Sequence, residues 1–192
     1  MHSNFIDVQK HPQFFEPSMQ IYRDSFEQEE REDEESIKQN IERGVYKMLS
    51  YISHDEVIGF YILDINQQFD YVLFSFLAIK KSWQKRGLGT KLSLHAINYF
   101  QLSLQENFLL TEAKERQAKL YKKLEFSTIK LEYLAPLFDS DKSIAMNLML
   151  IEKKKRLNSL ILKNIIKDMF YRGYGLEEND KRVLEQLNKV SI

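Results

Sequence analysis

Apolar side chains recur at helical spacing over residues 13–26, where Phe15, Met19, Tyr22 and Phe26 fall on one side of a 3.6-residue repeat. Pro17 lies near the start of that helix, where a missing N–H is tolerated. Residues 4–9 before it read as a short strand. The acidic stretch EQEEREDEE at 27–35 follows, and then Ile37, Ile41 and Val45 form a second helical stripe that Gly44 ends. The period then changes. Residues 45–53 and 56–64 are rich in β-branched and aromatic side chains, and His54-Asp55 between them predicts an antiparallel hairpin. Residues 69–79, FDYVLFSFLAI, are almost continuously apolar, as a strand buried on both faces would be. A helix is expected from Gly87 to about Leu104, with Leu88, Leu92, His95 or Ala96, and Tyr99 on one side. Residues 107–113 read as a strand, 115–124 as a short helix, and 126–134 and 143–151 as two more strands joined by a loop that holds Pro136 and Asp139-Ser140-Asp141.

The tail differs. Two helical patterns, 152–170 and 177–190, are split at Gly173-Tyr174-Gly175, and Leu157, Leu160, Ile161, Ile165 and Met169 mark an apolar stripe on the first. The order β-α-α-β-β-β-α-β-α-β-β predicts an α/β fold with a mixed central sheet over residues 1–151, followed by a helical C-terminal extension over 152–192. No internal repeat or low-complexity tract interrupts it.

Composition narrows the function classes. The chain has 192 residues, 43% of them hydrophobic, which is enough for a sizeable core. Lys+Arg and Asp+Glu both number 28, so the chain lacks the basic excess of a general nucleic-acid binder. It has no cysteine, which excludes a disulfide framework, a thiolate metal site and a cysteine nucleophile. His2, His11, His54 and His95 are scattered without metal-ligand spacing, so no metal is expected. The N-terminus MHSNFIDVQK lacks the apolar stretch of a signal peptide, and no run approaches the ~18 apolar residues of a membrane span. A soluble, cytoplasmic protein with no membrane partner is the expectation.

One segment carries chemistry. Residues 76–92, FLAIKKSWQKRGLGTKL, run from a buried strand through a short loop into a helix. Gly87 and Gly89 leave the backbone bare where a ligand would touch it. The first N–H groups of a helix have no intrahelical partners, and its dipole puts partial positive charge there, so an oxyanion is stabilised. Lys80, Lys81, Lys85, Arg86 and Lys91 add positive charge nearby. The spacing is too short for a P-loop and lacks the third glycine of a dinucleotide fingerprint.

The combination of Leu77-Ala78-Ile79, then Gln84, Gly87 and Gly89 in the pattern Q-x-x-G-x-G, then Ala118-Lys119-Leu120-Tyr121-Lys122-Lys123-Leu124-Glu125-Phe126, resembles the GNAT superfamily of N-acetyltransferases. The family motif [RQ]-x-x-G-x-[GA] is matched in full, and the element order fits over residues 4–151. Two positions depart: Lys81 stands where proline is frequent, and Glu125 stands where glycine usually precedes the final phenylalanine. The resemblance implies acetyl-CoA as cosubstrate. It implies that the backbone of Leu77, Ala78 and Ile79 would line the pantetheine arm, and that Gln84, Lys85, Arg86, Gly87, Leu88, Gly89 and Thr90 would hold the pyrophosphate.

The implied reaction moves an acetyl group to a primary amine by direct attack in a ternary complex. Tyr121 occupies the family's position for the proton donor to the leaving thiolate, and a phenol with a pKa near ~10 can serve at neutral pH; a core aromatic is the competing reading. Glu112, on the strand after the helix, is the first candidate for the base that takes the amine's proton, against a solvent-facing strand carboxylate. Glu30 or Glu32 are alternative bases. An acidic cleft there would favour a cationic acceptor such as a polyamine, an aminoglycoside or a lysine side chain. The acceptor is a small-molecule or peptide amine. Two other functions remain open: a non-catalytic CoA-binding regulatory module, and an acyltransferase using a longer acyl chain. The tail would complete the core, form a homodimer contact, or cover the acceptor site. The run Lys153-Lys154-Lys155-Arg156 reads as a solvated helix start.

Overall fold

In the computed structural model, which describes residues 4–190, the helical and strand repeats become eighteen short elements shared between two compact units. His2 lies outside the described residues. The first unit comprises residues up to Ile65 together with 72–104; the second comprises 66–71 together with 105 onward.

The first unit holds β1 (Asn4–Asp7), α1 (Phe15–Ser25), α2 (Glu34–Glu42), β2 (Tyr46–Ser53), β3 (Glu56–Asn66), β4 (Tyr71–Ile79) and α3 (Leu88–Ser103). Strand β2 pairs antiparallel with β1 and with β3. The β2–β3 turn is short because His54 (φ 52°) and Asp55 (φ 60°) both adopt the left-handed conformation that a two-residue hairpin loop requires. Helix α2 starts where Asp33 accepts from the Ser36 N–H at 2.9 Å and stops before Gly44, whose φ is 74°. The expected apolar stripes are the buried ones. Met19 and Tyr22 of α1 and Ile37 and Ile41 of α2 pack with Met48, Phe60, Ile62, Phe76 and Ala78 of the strands. Tyr46, Tyr51, Phe60 and Tyr61 are buried, as core rather than as a substrate cage.

The second unit holds β5 (Phe108–Ala113), α4 (Glu115–Lys123), β6 (Ser127–Thr128), β7 (Tyr133–Pro136), β8 (Ser143–Glu152), α5 (Ser159–Asp168) and α6 (Lys181–Asn188). The expected strand over 126–134 is broken in two. The Leu131 N–H donates to the Ile129 carbonyl at 2.9 Å, a three-residue turn that redirects the chain between β6 and β7. Pro136 is consequently the last residue of β7 rather than part of a loop. Strand β8 pairs antiparallel with β5, β6 and β7.

The tail also starts later than its periodicity implied. Strand β8 continues to Glu152, and α5 begins only at Ser159, where the Asn158 side chain accepts from the Ile161 N–H at 2.9 Å. The basic run therefore lies ahead of the helix. Lys155 pairs with Asp70 at 2.5 Å and Arg156 with Glu152 at 2.6 Å. The buried face consists of Leu162, Ile165, Ile166 and Met169, and Leu160 is 69% exposed. A π-helical turn, Met169–Gly173, leads into the Gly175 bend before α6. Among the described residues no helix is long and apolar enough to cross a membrane.

Glycine is required by packing at Gly59 on β3. A Cβ there would lie 2.7 Å from Ile79 Cδ1, 2.9 Å from the Ala78 carbonyl oxygen and 3.2 Å from Leu92 Cδ2. Its absence lets the end of β4 and the start of α3 close over β3. Gly59→Ala is expected to destabilise the protein by about 1–3 kcal/mol, the usual cost of overpacking. Denaturant unfolding of the two proteins measures this, and equal midpoints would contradict it.

Candidate active site

Strand β4 ends at Ile79, where the Lys80 N–H donates to the Ile58 carbonyl at 2.9 Å. A single 3-10 turn, Lys81–Trp83, carries the chain away from the sheet. The Gln84 side chain then reaches back, its Nε2 donating to the Ile79 carbonyl at 3.0 Å, so the loop is fastened to the strand it left. Lys85 (φ 62°) and Gly87 (φ 77°) are left-handed, and α3 begins immediately after Gly87. No side chain caps that helix end. A Cβ on Gly87 or Gly89 would meet no atom within 4 Å, so packing within the protein does not explain the lack of one. What the two glycines do is leave the first turn of a sixteen-residue helix bare, where Leu88, Gly89 and Thr90 present backbone N–H groups. An anionic group is the ligand that such an end accepts.

The cations around this loop are held in different ways. Lys80 is ion-paired with Glu56. Lys91 donates to the Tyr51 hydroxyl at 2.6 Å and sits over its ring. Arg86 lies 4.8 Å from the Trp83 ring centroid and donates to the Ser82 carbonyl. Among the described residues, Lys81 and Lys85 make no ion pair. Glu56 offsets the charge of Lys80, whereas a hydroxyl, a carbonyl and a ring leave Lys91 and Arg86 cationic, so positive character at the loop comes from the helix end together with Lys81, Lys85, Arg86 and Lys91.

In the second unit, Tyr121 is buried on α4 with its ring edge-on to Phe126, centroids 5.2 Å apart. Glu112 faces Leu148 across the β5–β8 ladder. Its two oxygens accept from two tyrosines: Tyr133 of β7 donates to Oε1, and Tyr174 of the tail donates to Oε2 at 2.7 Å. Burial raises the Glu112 pKa above its ordinary value of 4.5, and the two hydroxyls partly oppose that rise. Neither tyrosine was legible as a partner, since Tyr133 lies 21 and Tyr174 62 residues from Glu112 in sequence. The acidic run is partly tied down in the first unit. Both Glu32 oxygens accept from the Tyr46 hydroxyl, at 3.2 and 3.0 Å, and Glu34 pairs with Arg23 at 2.7 Å.

Residues 46–128 match the family described as acetyltransferase (GNAT) domain. Over that stretch, less than half of the chain, the sequence is similar to GNAT acetyltransferase domains. Solved structures share the fold over most of the chain. A GNAT-family acetyltransferase from Bacteroides thetaiotaomicron is 18% identical with a TM-score of 0.72, covering 92% of this chain and 100% of that one. Arabidopsis thaliana NAA60 in complex with a bisubstrate analogue is 18% identical with a TM-score of 0.63, covering 81% and 100%. The ribosomal-protein-S18-alanine N-acetyltransferase of Escherichia coli is 15% identical with a TM-score of 0.60, covering 82% and 97%. No curated protein matches the sequence.

The unusual Glu125 does not change the turn after α4. Glu125 itself takes the left-handed conformation, φ 68°, and the Phe126 N–H donates to the Tyr121 carbonyl at 3.1 Å as a helix C-terminus requires. A side chain pays a steric cost there that glycine avoids. Glu125→Gly is expected to stabilise the domain by about 0.5–1 kcal/mol once glycine's greater unfolded freedom is subtracted; a loss of stability in thermal or denaturant unfolding would refute it.

The Glu112 cluster predicts a pH dependence. Because the folded pKa is raised, the folded state holds this proton to higher pH than the unfolded chain does. Its stabilising contribution is complete below the ordinary value of 4.5 and is lost as pH rises through the folded value. Glu112→Gln should flatten that decline in unfolding free energy measured from pH 4.5 upward. An unchanged slope would show that Glu112 does not cause it.

Proposed function

We propose that this protein transfers the acetyl group of acetyl-CoA to a primary amine, borne by a small molecule or a peptide, through direct attack in a ternary complex. The observation that carries the reading is the bare N-terminus of α3 behind the Gln84-anchored loop, with left-handed Gly87 and a Gly89 that packing does not require. That arrangement suits the pyrophosphate of a coenzyme A thioester, which Gln84 through Thr90 would hold while the backbone of Leu77–Ile79 lines the pantetheine arm. Arabidopsis thaliana NAA60, which shares the fold at 17% identity and a TM-score of 0.62, was solved with acetyl-CoA.

In this reading Glu112 takes the proton of the acceptor ammonium, so that a neutral amine attacks the thioester carbonyl. A raised pKa makes a carboxylate a stronger base for that work. A backbone N–H near the end of β4 stabilises the tetrahedral oxyanion. As the C–S bond breaks, Tyr121 gives its proton to the coenzyme A thiolate, and the second proton shed by the nitrogen as the amide forms restores the Tyr121 phenol by way of water.

Two measurements test this. Saturating acetyl-CoA should raise the melting temperature, because a ligand that binds only the folded state stabilises it; no shift would sink the cosubstrate assignment. Thiol release should then appear with at least one amine from a panel of peptides, polyamines and aminoglycosides. Stabilisation without release from any of them would instead favour a CoA-binding module without turnover. In the active protein, Tyr121→Phe should lower kcat by about 10²-fold or more while acetyl-CoA affinity stays near wild type. Unchanged turnover would remove Tyr121 from the mechanism.

A further inference from the structure

The tail beyond β8 is not only a packing layer. Its Tyr174 is held by aromatic neighbours, with the Phe138 ring 4.9 Å away and the Phe170 ring edge-on at 6.0 Å. From that position its hydroxyl donates to Glu112 Oε2 at 2.7 Å, while the Tyr133 hydroxyl donates to Oε1. The carboxylate therefore has each oxygen bound by a different tyrosine, one from the sheet and one from the extension. Tyr133 is 2% exposed and itself faces Phe170 at 6.0 Å. Glu112 meets these two phenols, with Leu148 opposite it on β8; Tyr71 acts on Tyr133, and its hydroxyl donates to Asp168, which pairs with Arg172.

We propose that Tyr174, supplied by the C-terminal extension, is a positioning residue for acyl transfer: its hydroxyl fixes the Glu112 carboxylate and keeps it in the ionised form that accepts the amine's proton. The proposal rests on the reading of Glu112 as the base. Two donors on one carboxylate stabilise its anion against the cost of burial. Tyr133 is fixed by the β7–β8 ladder, whereas Tyr174 is delivered by the π-helical turn and the bend after α5. The extension thus sets the protonation state of a group on β5.

The sign of the effect follows. A base works when deprotonated, so kcat/KM for the amine falls as pH drops through the Glu112 pKa. Removing the Tyr174 hydroxyl removes a donor that favours the anion, and the pKa rises further. Tyr174→Phe keeps the ring against Phe138 and Phe170 and deletes only the hydroxyl.

The test uses the full-length protein as wild type, Tyr174→Phe and Glu112→Gln. Acetyl-CoA thermal shift should be the same in all three. The acid limb of kcat/KM against pH should move upward in Tyr174→Phe by on the order of one pH unit, with about tenfold lower activity below the limb and recovery above it. The Glu112 carboxyl, followed by carbon-13 NMR and assigned by its loss in Glu112→Gln, should titrate at correspondingly higher pH in Tyr174→Phe. An acid limb and a carboxyl titration that both stay at their wild-type positions would overturn the proposal, as would an equal loss of activity at every pH with the titration unmoved. If acetyl-CoA binds but no amine is acetylated at any pH, the proposed function fails by itself, and the NMR titration still decides whether Tyr174 controls Glu112.

Discussion

Strand β8 meets a constraint on which the second unit depends: buried backbone N–H and C=O groups must find partners. Its ten residues supply those partners to β5, β6 and β7 together, and Met149 stands opposite both Thr111 and Thr128. Groups beside the short β7 still need partners, and α6 supplies them with a side-chain amide. Gln186, 2% exposed, accepts from the Leu134 N–H at 2.9 Å and donates to the Glu132 carbonyl at 3.3 Å. One glutamine does there what another strand would do. The extension is anchored a second time at Asp168, whose Oδ2 accepts from Asn66 at 2.5 Å and from the Tyr71 hydroxyl at 2.6 Å. Residues after 152 thus satisfy polar groups of the sheet segments that precede them.

The same ladder explains the state of Glu112. Pairing of β5 with β8 sets which face of the strand Glu112 occupies, and pairing of β7 with β8 brings Tyr133 to it. A carboxylate taken out of water is costly unless hydrogen-bonded. Here two phenols offset part of that cost, and the remainder is expressed as a raised pKa. In the first unit the balance is struck differently. Three of the five cations near the Gln84–Thr90 loop are engaged with Glu56, Tyr51 and Trp83. Tyr51 and Trp83 hold Lys91 and Arg86 in place without cancelling their charge, so the loop attracts anions through these cations and the helix dipole together.

Much of the fold was legible because its signals are local. The stripes of Met19 and Tyr22 or Ile37 and Ile41, the His54-Asp55 turn and the Gln84–Gly89 loop each lie within a few residues. Errors arose where a distant partner decided the outcome. The apparent strand 126–134 divides because a turn at Lys130 sends β6 and β7 to different stretches of β8. The first tail helix loses its opening residues because Glu152 pairs with Phe108 in β8, its carboxylate accepts from the Leu157 N–H at 2.6 Å, and Asn158 caps the helix only from Ser159.

The sequence by itself determined the order of elements, the strand-loop-helix at residues 76–92 and the family that this motif resembles, since period, glycine placement and capping act over one or two turns of chain. Only the tertiary structure decided which lysines are engaged, that Glu125 keeps the turn a glycine would make, and that Glu112 is held by Tyr133 and Tyr174. Those outcomes depend on burial and on hydrogen bonds between residues far apart in the chain, and no local pattern encodes which distant side chain will arrive.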